Sequence, residues 1–235
     1  DNLPPFEHKI ALKIIEEELG APANELFEEF PDRPIASASL GIVYKVKTKN
    51  NSFCAVKVQR PNLSFLIRRD VVILKILATI FSPFLPLNIG VGIGEIIDEF
   101  GSALFDEIDY EKEGKNAVKF ADLFKSNPNV FVPKLEQDFS SKKVITTSWI
   151  DGVKLRDRKI LEQNNLIPSS FIRTCVISGL QQLFEHGYFH ADPHPGNMFA
   201  LKGGSSESGN LAYVDFGMMD TITNSDRLTL IKAIV

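Results

Sequence analysis

Cysteine is nearly absent from this chain. Cys54 and Cys175 stand far apart in apolar settings, with no CxxC pair, so neither a zinc cluster nor a disulfide framework is indicated and a reducing compartment fits best. A strongly basic face is also missing. The net charge is −4, which argues against a nucleic-acid groove. No uninterrupted apolar run reaches the roughly 20 residues of a membrane-spanning helix. Val71 to Ile93 comes nearest, with Lys75 as its only charge, but Pro83, Pro86, Gly90, Gly92 and Gly94 interrupt it. The reading is a buried helix followed by a loop, with docking on a membrane or a partner as the alternative. A dinucleotide turn is lacking too: Gly90-Val91-Gly92-Ile93-Gly94 has GxGxG spacing and no clean strand before it. Asp1 to Pro5 contains no initiator methionine, signal peptide or transit peptide.

What is present is an ordinary globular composition, 44% hydrophobic and 24% charged, over 235 residues. That is enough chain to bury a large core without covalent staples. Phe6 to Leu19 has helical spacing, stopped by Gly20 and Pro22, and a short helix through Leu26, Phe27 and Phe30 is expected next. Two β-rich runs, Val43–Lys47 and Phe53–Val58, flank Lys49-Asn50-Asn51-Ser52 and predict a hairpin. Ala36 to Gly41 is a run of mostly small residues at an expected strand–turn–strand. Long helices are predicted over Leu63–Phe81 and from Glu95 to about Phe124, then strands at Val130–Leu135 and Lys143–Ile150. A helix runs from Pro168 to Gly187, followed by a loop over Tyr188–Asn197. A strand at Leu211–Val214 and a last helix from about Ser225 complete the chain, with Gly203–Gly209 as a turn inside a hairpin.

The residues that could do chemistry lie late in the chain. His190-Ala191-Asp192-Pro193-His194-Pro195-Gly196-Asn197 sets Asp192 and Asn197 five apart in a loop stiffened by proline, and Asp215-Phe216-Gly217 follows a strand. Phosphoryl transfer needs such groups: a carboxylate and an amide oxygen to hold Mg2+, and a further aspartate to orient the acceptor. The Asp-x-x-x-x-Asn spacing with a downstream Asp-Phe-Gly is a kinase arrangement, weak in either half and specific in combination. Upstream, Lys57 in Ala55-Val56-Lys57 sits on a predicted strand, where a lysine reaches α- and β-phosphates. The small-residue turn Ala36–Gly41 would lie over the nucleotide. Asp106 to Glu113 offers several acids to pair with that lysine; Asp109 and Glu113 share a helix face, and spacing alone does not choose between them. His190, Asp192 and His194 also alternate as metal ligands do, so a metal-dependent hydrolase is another reading, beside phosphoryl transfer and a nucleotide-sensing module that turns over little ATP.

At these residues the sequence resembles the UbiB/ADCK-like family of atypical kinases. The resemblance runs from about Pro4 to the C-terminus. It rests on Ala36-Ser37-Ala38-Ser39-Leu40-Gly41, on Ala55-Val56-Lys57-Val58-Gln59-Arg60-Pro61, and on Glu107-Ile108-Asp109-Tyr110 with Glu113 and Asn116. The His190–Asn197 motif and Asp215-Phe216-Gly217 complete it. It implies an α+β, two-lobed protein-kinase-like fold. Residues 1–150 would form the small lobe with leading and inserted helices, and residues 151–235 a partial large lobe. ATP and Mg2+ are the implied ligands. Lys57 would contact phosphates and pair with Glu113, Asp192 would be the catalytic-loop acid, and Asn197 and Asp215 would hold the metal. Ala36, Ser37, Ala38, Ser39 and Gly41 would cover the nucleotide, with Glu107 and Asp109 beside it. Thr147 to Ile150, including Ser148 and Ile150, would meet adenine. The resemblance also implies a role in prenylquinone metabolism, membrane association, and lipid or pathway-protein partners. The Gly209–Met219 run points towards chloroplast members. Three departures stand out: the family's KxGQ helix is not found before Asp1, Gly41-Ile42 replaces Gly-Gln, and little follows Gly217. The chain is therefore read as a fragment.

Overall fold

A computed structural model describes residues 4–37, 40–81, 92–203 and 209–234. The chain groups into two compact units, Asp1–Lys112 with Gln137–Thr146, and Glu113–Glu136 with Thr147–Val235. In this grouping residues 113–136 lie in the second unit.

In the first unit, helix α1 (His8–Leu19) ends at Gly20, whose φ of 77° lets its N–H return to the Glu16 carbonyl. Helix α2 (Ala23–Leu26) is a single turn. The expected continuation to Phe30 does not form, because the backbones of Glu28 and Glu29 turn to hydrogen-bond Lys47. Strands β1 (Ala36–Ser37), β2 (Gly41–Lys47), β3 (Phe53–Gln59) and β5 (Val144–Ser148) make a sheet in the order β1-β2-β3-β5. Strand alternation sends Ile42, Tyr44, Val46, Cys54, Val56 and Val58 into a core with Ala11, Ile14, Ile15 and Phe27. The same alternation turns Val43, Lys45, Ala55 and Lys57 to the other face. Gly41 sits where β2 begins, and a side chain there has no room. A Cβ would lie 2.5 Å from the Val58 carbonyl oxygen and 2.7 Å from the Tyr110 hydroxyl.

Helix α3 (Leu63–Phe81) has the predicted bounds but not the predicted burial. It packs on α4 (Ile93–Glu107) through Val71 against Gly101, with a Lys75–Asp98 ion pair alongside. Ile67 is its one buried residue, while Val72, Ile73, Leu74, Ile76, Leu77, Ile80 and Phe81 are exposed. From Val71 onward the helix is apolar on nearly every side, and one partner helix cannot cover every face. Among the described residues no helix is long and apolar enough to cross a membrane. The single helix expected from Glu95 to Phe124 is two. Asp109 accepts the Lys112 N–H at 3.1 Å and so caps α5 (Tyr110–Leu123), breaking the run after α4.

In the second unit, β4 (Val130–Phe131), β9 (Asn210–Tyr213), β8 (Met198–Leu201) and β6 (Val153–Lys154) form a sheet in that order. Strand β7 (Tyr188–His190) lies in the expected loop and pairs antiparallel with β10 (Met219–Thr221). Helix α6 (Arg158–Gln163) precedes α7 (Pro168–Leu180). The expected helix to Gly187 is completed by a wider π turn over Gln181–His186, and α8 (Asn224–Ile234) ends the chain. The core is aromatic: the Phe120 ring lies 4.6 Å from Phe124, 5.2 Å from Phe216 and 5.3 Å from Tyr213.

Two stability outcomes follow from these contacts. Phe120→Ala removes a fully buried ring that touches three others and should cost about 3–5 kcal/mol in urea unfolding. A cost below about 1 kcal/mol would show that the cluster is not the core of its unit. Gly41→Val pushes atoms into a backbone carbonyl that cannot retreat as a side chain could, and should cost about 1–3 kcal/mol. An unchanged urea midpoint would show that β2 can move away from β3.

Candidate functional site

The first unit presents Lys57 on the open face of β3. Its ammonium lies 4.8 Å from the centroid of the buried Tyr110 ring, a cation–π contact. Tyr110 is fixed in turn: its N–H donates to the Lys142 carbonyl at 3.2 Å. The Gln59 side-chain amide, at the end of β3, donates to the Ile108 carbonyl. Residues Glu107 to Tyr110 are thus tied to the strand that bears Lys57. Glu107 and Asp109 are both half-buried, and one Asp109 oxygen is used in capping α5. Arg60 holds the base of the small-residue loop, with its N–H on the Leu40 carbonyl (2.9 Å) and its guanidinium donating to Ser37 Oγ (3.3 Å). Ala36 and Ser37 pair with Val43 and Ile42. Ala38 and Ser39 lie outside the described residues.

The second unit brings Asn197 and Asp215 to one end of a hairpin. Met198 is opposite Tyr213 in the β8–β9 ladder, and the Val214 N–H donates to the Asn197 carbonyl at 3.1 Å. Asp215 follows directly. Its backbone carbonyl accepts a 2.7 Å bond from His190 Nε2, and its carboxylate Oδ1 accepts the Gly217 N–H at 3.1 Å. His190 Nδ1 accepts the Asp192 N–H at 3.1 Å, which makes the Nε2–H tautomer the one that satisfies both bonds. Burial is the largest influence on this imidazole and holds it below the usual histidine range, although the Asp215 backbone and nearby carboxylates pull the other way. The His190 N–H is itself taken by Gln182 Oε1 at 2.9 Å, from the π turn.

Asp192 is half-exposed beyond β7, with its Oδ2 3.5 Å from His194 Nε2. The loop is bonded to itself: His194 N–H to the Asp192 carbonyl at 2.9 Å, Asn197 N–H to the His194 carbonyl at 3.0 Å, and Gly196 N–H to His194 Nδ1 at 3.0 Å. Pro193 and Pro195 remove donors that would otherwise need partners. Glu113 is only 3% exposed on α5. Lys57 belongs to the first unit and Glu113 to the second. Ser148 is held against the Lys134 backbone, donating its N–H at 2.8 Å and accepting on Oγ at 2.9 Å, and Ile150 is half-buried two residues on.

The donor types choose among metals. Asp215 and Asn197 offer a carboxylate and an amide oxygen, hard donors suited to Mg2+, which takes few protein ligands and completes its shell with phosphate oxygens and water. The residues present fit such an ion. The alternating His190-Asp192-His194 reading finds both His190 nitrogens and His194 Nδ1 already in hydrogen bonds. Among the described residues no group of three His, Cys, Asp or Glu side chains is placed to hold a metal. Gln182 and Tyr188 were not singled out by the sequence. Gln182 reaches β7 through the π turn, and the Tyr188 hydroxyl donates to Asn116 Oδ1 at 2.9 Å. No local pattern marks either role.

Comparison with known proteins identifies the family. The ABC1 atypical kinase-like domain family matches residues 1–235. A Synechocystis protein described as uncharacterized is 46% identical over all of this chain, which covers 41% of that protein. Arabidopsis thaliana ACTIVITY OF BC1 COMPLEX KINASE 1, chloroplastic, is 36% identical over all of the chain, covering 34% of it. The chain therefore spans less than half the length of these curated relatives. A Mycobacterium tuberculosis protein solved in complex with erythromycin superposes with a TM-score of 0.71 at 26% identity, over 93% of this chain and 53% of that one. The chain belongs to the ABC1 atypical kinase-like family.

Proposed function

We propose that the chain binds ATP with Mg2+ and acts as a phosphotransferase or ATPase in prenylquinone metabolism, associated with a membrane in the chloroplast. The observation that supports this most is the β8–β9 hairpin, which brings the oxygen donors of Asn197 and Asp215 to one end beside the Asp192 loop. Chloroplastic and cyanobacterial relatives support the compartment. When bound, Mg2+ would neutralise charge on the phosphate oxygens and orient the nucleotide's terminal phosphoryl group. Lys57 adds a positive charge for the α- and β-phosphates and is steadied by the Tyr110 ring. Glu113 is the helix acid of such a site. Asp192 orients the acceptor hydroxyl or water. Ser37, Ala36 and Gly41, with Ala38 and Ser39, cover the nucleotide; Glu107 and Asp109 flank it, and the Ser148 to Ile150 backbone meets adenine.

The direct test follows ATP turnover in Mg2+ for the chain and for Asp215→Asn. The substitution removes a charged metal ligand and should lower the rate by about 100-fold. Equal rates in both proteins would refute catalysis at this carboxylate. A second reading is a nucleotide-sensing module that engages a lipid or protein and turns over little ATP. The exposed apolar α3 favours it. On that reading, liposome flotation depends on nucleotide and persists in Asp192→Asn; flotation indifferent to nucleotide would remove it.

A further inference from the structure

Asn116 stands outside every role assigned so far, yet it joins three segments distant in sequence. Its Nδ2 donates to the Phe216 carbonyl at 2.9 Å, 100 residues away. Its Oδ1 accepts the Tyr188 hydroxyl at 2.9 Å, 72 residues away. The Tyr188 ring is in turn covered by the Lys119 ammonium at 3.8 Å from its centroid, one turn further along α5. The amide of Asn116 therefore cannot rotate without losing a bond at each end.

The Phe216 carbonyl is not an arbitrary target. It belongs to the same planar peptide as the Gly217 N–H, and that N–H holds Asp215 Oδ1 at 3.1 Å. A grip on one end of the peptide fixes the direction of the other. A hydrogen bond accepted by the carbonyl also polarises the peptide and strengthens the N–H bond to the carboxylate. The neighbouring carbonyl, that of Asp215, is held separately by His190. Without Asn116 the Phe216–Gly217 peptide keeps no side-chain partner on its oxygen in the described contacts. The peptide could then turn over and release Asp215 Oδ1. Asn116 is also one turn beyond Glu113 on α5, so the two share a helix face.

We propose that Asn116 is a positioning residue: it locks the Phe216–Gly217 peptide so that the Asp215 carboxylate faces the metal, and it couples that lock to α5 and Glu113. The inference rests on the reading of Asp215 as a Mg2+ ligand. Asn116 touches neither metal nor nucleotide. Its effect is on the readiness of Asp215 to bind the ion.

The test uses the full chain and two variants, Asn116→Leu, which keeps size and adds no charge, and Tyr188→Phe, which removes only the hydroxyl that orients the amide. Binding of a fluorescent ADP analogue is measured in EDTA and across a Mg2+ titration. In Asn116→Leu the Mg2+ needed for half-maximal binding should rise on the order of tenfold, the loss of one hydrogen bond to a well-placed group. Binding in EDTA should stay within about twofold, and Tyr188→Phe should fall between Asn116→Leu and wild type. Equal losses with and without Mg2+ would mean a merely structural role and overturn the proposal, as would an unchanged Mg2+ requirement. Amide hydrogen exchange without metal or nucleotide gives an independent arm. The Gly217 amide should be protected in the wild type and exchange about tenfold faster in Asn116→Leu, with Tyr188→Phe in between. Unchanged Gly217 exchange overturns the lock. If the wild type bound no nucleotide at all, the proposed function would fail, while the exchange arm would still decide whether Asn116 holds the peptide.

Discussion

The turn at Asp215-Phe216-Gly217 is held by hydrogen bonds from two directions, and the second unit is arranged to supply them. His190 reaches it from β7, and Asn116 reaches it from α5. The Phe216 ring is planted in the aromatic cluster of Phe120, Phe124 and Tyr213. Backbone polar groups near a core must find partners, and here the partners also determine where the carboxylate points. His190 shows the economy of this arrangement. Its two ring nitrogens serve Asp215 and Asp192, so one imidazole bridges the backbones of two acids, and burial favours its neutral form.

The first unit solves a different problem, presenting a cation without losing it to the core. The period of two along β3 buries Cys54, Val56 and Val58 and leaves Lys57 on the open face. The Tyr110 ring then limits where the ammonium goes. Such a contact is worth about 0.5–1 kcal/mol at a partly exposed position, less than the side-chain entropy it restrains, so it guides the lysine more than it stabilises the unit. Stability comes instead from the sheet and α1. Gly41 carries the constraint between them and the small-residue loop, because only hydrogen fits between the Val58 carbonyl and the Tyr110 hydroxyl.

Much of this was legible in the residues. The β2–β3 hairpin follows from its alternation, and α1 from its spacing and its glycine stop. The bounds of α3 match the apolar run, and the kinase-like fold follows from motifs in order. What stayed hidden has physical reasons. The break at Asp109 lies inside an acidic, helix-favouring stretch, and a capping aspartate there looks like one more surface acid. Strands β6, β7 and β10 are two or three residues long, too short for any period to register. The burial expected of α3 fails because its half from Val71 onward, apolar on nearly every side, does not say what covers it. Glu28 and Glu29 left the helix for Lys47, a pairing that local propensity cannot foresee. Among site residues, the motif positions were visible, whereas Gln182, Tyr188 and the contacts of Asn116 depend on segments 8 to 100 residues apart.

The hairpin end carrying Asn197 and Asp215 is the magnesium site we propose. Crystals grown with Mn2+ and ADP would locate the ion by anomalous scattering. The expected result is a metal bound by Asp215 and Asn197 oxygens, with nucleotide phosphate oxygens completing its shell. A metal seated on His190 and His194, or a nucleotide bound with no ion at Asp215, would contradict it.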